Sequence, residues 1–147
     1  VVPQGGRTGL SGGASSQPGQ VALSVERLNQ IERLDPDQRS AVVGAGVRLG
    51  VLTSEAAKLG LSPGIDLGAR DSATLGGLVA TNAGGNRVIR YGMTRDSVLG
   101  LEAVIADGTG FRKPSEYLRP MAQTTSSKPA TTSIHQARVA DLNGLSS

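Results

Sequence analysis

The chain has 147 residues, a formal net charge of +3, no cysteine, and only Tyr91, Phe111 and Tyr117 as aromatics, so it can build one modest core from Val, Leu, Ile and Ala. Without cysteine there is no disulfide scaffold, thiolate metal site, iron–sulfur cluster or cysteine nucleophile. No apolar run approaches ~18 residues and no basic-then-apolar start resembles a signal peptide, so no membrane span is expected and a soluble, cytoplasmic protein is the default.

The elements read as follows from the N-terminus. Val1-Val2 is the end of a strand, and the start of the chain inside a strand suggests that the true N-terminus lies further upstream. Residues 3–13 form a glycine-rich loop. Residues 20–25 have strand character, Leu28 and Ile31 sit on a short turn or helix, and residues 31–34 make another strand before an Asp35-Pro36-Asp37 turn. Residues 40–43 are a strand ending at Gly44. Residues 48–59 are the clearest helix: Leu49, Leu52, Ala56 and Leu59 recur at helical spacing, and Gly60 stands where a C-cap glycine belongs. Residues 74–82 lean to helix. Residues 98–106 are a strand, Asp107-Gly108 a hairpin turn, and residues 109–111 the start of the return strand. Strands and helices mix without strict βαβ alternation, so the fold class is α+β.

Two compositions meet near residue 111. Twenty of the 21 glycines precede it. Residues 1–111 hold ten Lys/Arg and ten Asp/Glu, whereas residues 112–147 hold five against two, so the whole net charge lies in the tail. A pI of 9.8 therefore reflects no basic stripe interleaved with aromatics, and no nucleic-acid partner is expected. The tail shows no sustained period of 2 or 3.6 and reads as disordered or weakly ordered.

Three glycine-rich stretches carry chemistry. In Pro3-Gln4-Gly5-Gly6-Arg7-Thr8-Gly9-Leu10-Ser11-Gly12-Gly13, five glycines free the backbone so that successive N–H groups can converge on an anion, with Thr8 and Ser11 adding hydroxyls. A diphosphate is the natural guest, and an ordinary flexible loop is the plain alternative. In residues 74–86, Gly76-Gly77 can let a flat ligand lie against the main chain, and Thr74, Thr81 and Asn82 can bond its edge; tight helix packing with a C-cap at Gly84-Gly85 explains the same pattern. The third, Gly44-Ala45-Gly46-Val47-Arg48-Leu49-Gly50, follows a strand and opens a helix, as a nicotinamide-dinucleotide site would, with Asp66 at a distance suited to a ribose. Its spacing is G-x-G-x-x-x-G, not G-x-G-x-x-G, and no clear second strand precedes Asp66.

Other arrangements are poorer. There is no G-x-x-x-x-G-K-[ST] loop and no metal-ligand spacing. His135, the only histidine, lies in the tail without an evident partner. Asp66, Asp71 and Asp96 read as turn formers or partners of Arg70 and Arg95.

Together the loops resemble the PCMH-type FAD-binding domain of the vanillyl-alcohol-oxidase superfamily, in particular its D-lactate, glycolate and D-2-hydroxyglutarate dehydrogenase branch. The matching stretches are residues 2–14, 43–46, 66–85 and 90–108, in the family's order and spacing. The resemblance implies that Gly5, Gly6, Arg7, Thr8 and Gly9 cradle the FAD diphosphate by their N–H groups and that Ser11 and Gly12 extend that contact. Asp66 to Gly68 would stand near the flavin, where the family often has a Pro-rich, Ser-ending loop. Thr74, Gly76, Gly77, Thr81 and Asn82 would line the diphosphate and isoalloxazine side. Covalent members carry His directly after the paired glycines of the first loop; Arg7 stands there, which implies noncovalent FAD. The base and the arginines that handle a 2-hydroxy acid would come from a substrate domain outside these residues.

The resemblance implies a partial FAD-binding domain over residues 1–111, truncated at both ends, and a divergent tail over 112–147. With suitable codons, a shifted reading frame through residues 128–133 yields Ala-Gly-Tyr-Asp-Leu, close to a segment the family carries after the hairpin. The tail is thus expected to be a frameshifted translation, or else a real but disordered tail. A remnant that neither folds nor binds flavin, and a small NAD(P)-binding module, are the alternative functions.

Overall fold

The computed structural model describes residues 1–104, 108–113, 133–140 and 142–144. Strands β1 (Val2–Gln4) and β2 (Ala22–Ser24) pair in parallel as a small separate sheet. Next come β3 (Ile31–Asp35), β4 (Ser40–Gly44), helix α1 (Leu49–Ala57), β5 (Leu61–Pro63), helix α2 (Leu75–Thr81) and the single turn α3 (Val88–Tyr91). A 3-10 turn (Thr94–Ser97), β6 (Val98–Val104), β7 (Gly110–Lys113), β8 (Ser133–Ala140) and β9 (Leu142–Gly144) follow. The main sheet has the order β3-β4-β8-β6-β7 with every pairing antiparallel, and β5 pairs with β9. The class is α+β, as the mixed pattern of elements indicates.

The core lies between the sheet and the two longer helices. Val43, Val47, Leu49 and Leu52 are its largest fully buried side chains, with Ala41, Ala56, Leu75 and Leu78 around them. Each buried Val or Leu contributes about 1.5–3 kcal/mol relative to exposure. Helix α1 forms because Leu49, Leu52 and Ala56 share its buried stripe. Beyond Ala57 the chain tightens into a turn: the Gly60 N–H donates to the Ala57 carbonyl at 3.0 Å, and Gly60 takes φ +70°.

Gly44 and Gly46 serve packing. A Cβ at Gly44 would sit 2.2 Å from the Leu28 carbonyl oxygen, and one at Gly46 would sit 2.1 Å from that of Val25. Their N–H groups donate to Gln30 and Leu28 at 2.9 and 2.8 Å. Both partners of β4 are antiparallel, so residues 44–50 do not open a parallel βαβ unit of the nicotinamide-binding kind.

The boundary expected at residue 111 falls within β7. Residues 133–140 and 142–144, part of the tail expected to be weakly ordered, form β8 and β9. Strand β8 is paired on both edges, and backbone ladders need no alternation of side chains, so this strand has no signature in the pattern. The expected turn residue Asp107 and the run 128–132 lie outside the described residues. No helix among the described residues is long and apolar enough to cross a membrane.

Candidate functional site

Strand β1 delivers the first glycine loop onto the N-terminus of α2. A Cβ on Gly5 would fall 2.1 Å from Thr74 Oγ1, and one on Gly6 would fall 1.8 Å from the Ser72 carbonyl oxygen. Only glycine allows this approach, and it fixes the two loops against each other. The chain then turns outward at Arg7, a non-glycine residue at φ +53°. Gln4 Nε2 donates to the Ala14 carbonyl at 2.7 Å and ties the two ends of the loop together. Between those ends a Cβ at Gly9, Gly12 or Gly13 would meet nothing within 4 Å.

The loop and α2 enclose a cavity of about 560 Å³. Gly5, Gly6, Arg7, Thr8, Gly9 and Ser11 line it on the loop side. Thr74, Gly77 and Thr81 line it on the helix side, over apolar walls that include Leu67, Ala73 and Leu78. Among the described residues, no backbone N–H from Gly6 to Ala14 donates to a protein acceptor. Residues 7–13 are exposed, so these N–H groups are open to water or to an anion held beside the cavity. Arg7 carries the only charged side chain of the lining. No side chain of the lining is a carboxylate, imidazole, amine or phenol, so these side chains can hold and cover a ligand and none of them is a general base.

The helix end beside this loop is already closed by protein. The Leu75 and Gly76 N–H groups donate to the Val47 and Ala45 carbonyls at 2.8 and 2.9 Å. Thr74, the N-cap, is 4% exposed, and its Oγ1 accepts from Gly77 at 3.4 Å. A Cβ at Gly76 would meet the Ala45 Cβ at 2.7 Å. Gly76 therefore brings α2 against the chain entering α1 and does not line the cavity.

Of the expected site residues, Gly5, Gly6, Arg7, Thr8, Gly9, Ser11, Thr74, Gly77 and Thr81 line one cavity, and Gly12, Gly76, Asn82 and Asp66 do not. The Thr81 hydroxyl donates back to the Gly77 carbonyl at 2.9 Å. Asn82 ends α2 at φ +46°, and its Oδ1 accepts from the Arg95 N–H at 3.0 Å, drawing in the 3-10 turn. The Asp66 carboxylate pairs with Arg70 at 3.0 Å, and its carbonyl accepts from Asn86 at 2.7 Å. Apolar wall residues such as Val2, Ala69 and Ala83 carry no individual role in the sequence reading. Small apolar side chains carry no chemical signature; the only available signal was the density of Ala and Gly between 66 and 84.

A second cleft, also about 560 Å³, opens on the other side of the loop and shares Gly5, Gly6, Arg7 and Thr74 with the first. Glu26, Asn29 and Arg48 border it. Among the described residues, no group of His, Cys, Asp and Glu is placed to hold a metal ion.

The family model described as FAD binding domain matches residues 1–112. Over 108 residues the chain is 49% identical to a D-2-hydroxyglutarate dehydrogenase of Xanthomonas citri pv. viticola, covering 74% of this chain and 23% of that protein. It is equally 49% identical over 108 residues to a D-lactate dehydrogenase of Archaeoglobus fulgidus, covering 74% and 24%. A mitochondrial D-2-hydroxyglutarate dehydrogenase of Bos taurus is 45% identical over 109 residues, with 74% and 20% covered. The chain thus spans about a quarter or less of the length of these relatives. Among solved structures, an alkyldihydroxyacetonephosphate synthase superposes with a TM-score of 0.76 at 21% identity, over 94% of this chain and 26% of that one. The 6-hydroxy-D-nicotine oxidase of Arthrobacter nicotinovorans gives 0.74 at 21% identity, over 94% and 30%. These two share the fold, and with the family match over residues 1–112 the fold is that of a PCMH-type FAD-binding domain.

Proposed function

The chain belongs to the FAD binding domain family, and from that premise we propose that it is the flavin-holding part of an oxidoreductase acting on a D-2-hydroxy acid, with FAD bound noncovalently. The observation that carries this reading is the run of unpartnered N–H groups from Gly6 to Ala14 beside a cavity with apolar walls. A diphosphate needs the first and a flat ring system the second. The 2-hydroxy acid rests on the names of the relatives. Noncovalent attachment rests on Arg7 standing where covalent members carry histidine.

When bound, the flavin would supply the hydride-accepting chemistry. The chain's own part is binding, orientation and exclusion of water. The N–H groups of the first loop would hold the diphosphate, while Leu67, Ala73 and Leu78 would cover an apolar face. The side chains of Thr81 and Asn82 would act by shaping the C-terminal end of α2, since both are engaged within the protein. No lining side chain is a base for the substrate hydroxyl proton, so that base would come from beyond these side chains. Residues 1–111 are taken as the flavin-holding unit, and a cytoplasmic location is part of the reading.

The test is reconstitution. The purified full chain is incubated with FAD, passed through gel filtration, and its visible spectrum recorded before and after denaturation. Flavin that elutes with the chain and is released intact on denaturation is the expected result. A folded chain that elutes colourless would overturn the reading, and flavin that stays attached after denaturation would overturn noncovalent binding.

A further inference from the structure

We infer that Thr94 is a positioning residue for the cavity: without lining it, the Thr94 hydroxyl holds in place the wall at residues 83–84 against which a flat ring would lie. The inference rests on the flavin reading and goes beyond it, since that reading gives Thr94 no part.

This stretch of wall has no regular structure of its own. Helix α2 ends at Thr81, Asn82 takes φ +46°, and Ala83 and Gly84 follow outside any helix or strand, yet both line the cavity. They are fixed from two sides. On one side Gly85 presses on the Asp66 carbonyl, whose oxygen would lie 2.3 Å from an added Cβ, and the Asn86 N–H donates to the same oxygen at 2.7 Å. On the other side the Ala83 carbonyl accepts from both the N–H and the hydroxyl of Thr94, at 3.1 and 2.6 Å. The Arg95 N–H adds a third tie to Asn82 Oδ1 at 3.0 Å. Thr94 is 3% exposed and is not part of the cavity lining. Its 3-10 turn is itself closed by Asp96, whose Oδ2 accepts from the Met93 N–H at 2.7 Å, and a Cβ on Gly84 would sit 3.2 Å from the Met93 sulfur. The Thr94 N–H alone would satisfy the Ala83 carbonyl, so the hydroxyl is not needed for that. A second, short bond instead restricts where the carbonyl points. Because the peptide is planar, it also fixes the orientation of the unit joining Ala83 to Gly84.

The experiment compares the full chain with Thr94→Val, which keeps the shape and the N–H but has no hydroxyl, and with Thr94→Ser, which keeps the hydroxyl. Amide hydrogen exchange is followed without ligand at Ala83 and Arg95, relative to Leu52 in the core, and each protein is titrated with FAD, riboflavin and inorganic pyrophosphate. In Thr94→Val, exchange at Ala83 and Arg95 is expected to quicken about tenfold relative to Leu52. FAD and riboflavin are expected to bind it about fivefold more weakly and pyrophosphate as tightly as the parent, because only the ring needs this wall. Thr94→Ser is expected to match the parent throughout. Unchanged relative exchange in Thr94→Val would overturn the inference, as would a Thr94→Ser chain that behaves like Thr94→Val. Faster exchange with unaltered flavin binding, or equal weakening toward flavin and pyrophosphate, would overturn it too, since the hydroxyl would then serve the fold and not the ring. A parent that binds neither flavin would sink the flavin reading, and the exchange comparison would still decide whether Thr94 holds the wall.

Discussion

Gly6 and Gly9 lie three residues apart in one loop and are glycine for different reasons. At Gly6 a methyl group would be driven to 1.8 Å from a backbone oxygen, whereas at Gly9 it would meet nothing within 4 Å. Gly6→Ala should therefore cost at least the 1–3 kcal/mol typical of overpacking, while Gly9→Ala should stay within about 0.5 kcal/mol. Urea unfolding of the two variants checks this, and equal midpoints would show that the contact with Ser72 does not hold the loop. The sequence made both glycines visible as parts of an anion cradle but could not separate them, because what distinguishes them is the carbonyl of Ser72, far along the chain. Asp66 shows the same limit. Its distance from Gly44 suited a ribose contact, but its carboxylate is engaged by Arg70 in the turn that follows it.

At the level of elements, what was legible followed from periodicity. Leu49, Leu52 and Ala56 marked α1 because burial of one stripe imposes the spacing, and Leu52→Ala, at a site with 0% exposure, should cost about 2–5 kcal/mol in a denaturant titration. β5 and the single turn α3 escaped notice because three or four residues are too few to show a period. β5 exists only through its pairing with β9. The β3–β4 hairpin was legible from Asp35-Pro36-Asp37, and the structure adds a charge effect. The Asp35 carboxyl is held below the usual carboxylate range by the Gln38 N–H, with Arg33 assisting and burial opposing. A lowered folded-state value contributes stability above the unfolded value of 3.8 that is lost as pH falls through the folded value. The acid limb of the stability–pH profile should therefore flatten in Asp35→Asn, and an unchanged limb would remove Asp35 from the acid response.

At the level of the whole molecule, the cradle is assembled from residues 4–14 and 67–84, and the second segment also gives Ala73, Leu75 and Leu78 to the core. A ligand spanning both should stabilise the fold as a unit. With FAD at 100 times its dissociation constant the gain is about 2.7 kcal/mol, which raises the melting temperature by roughly 10 °C for a chain of this size. A scan with and without FAD measures it, and an unchanged midpoint would mean that the ligand does not bridge the two segments. This architecture was legible only through the ordered set of glycine loops. The five-stranded sheet was not, since its central strand leaves no pattern in the sequence. That central strand also fixes an order of events. β4 and β6 form no ladder with each other; both pair with β8, which follows them in the chain. During synthesis both hairpins emerge from the ribosome with one edge of backbone unpaired, and the gap between them closes only after residue 140. Until then the nascent chain offers two open templates for the wrong strand, so its yield in the cell should depend on translation speed and chaperone supply as much as on the stability of the finished fold.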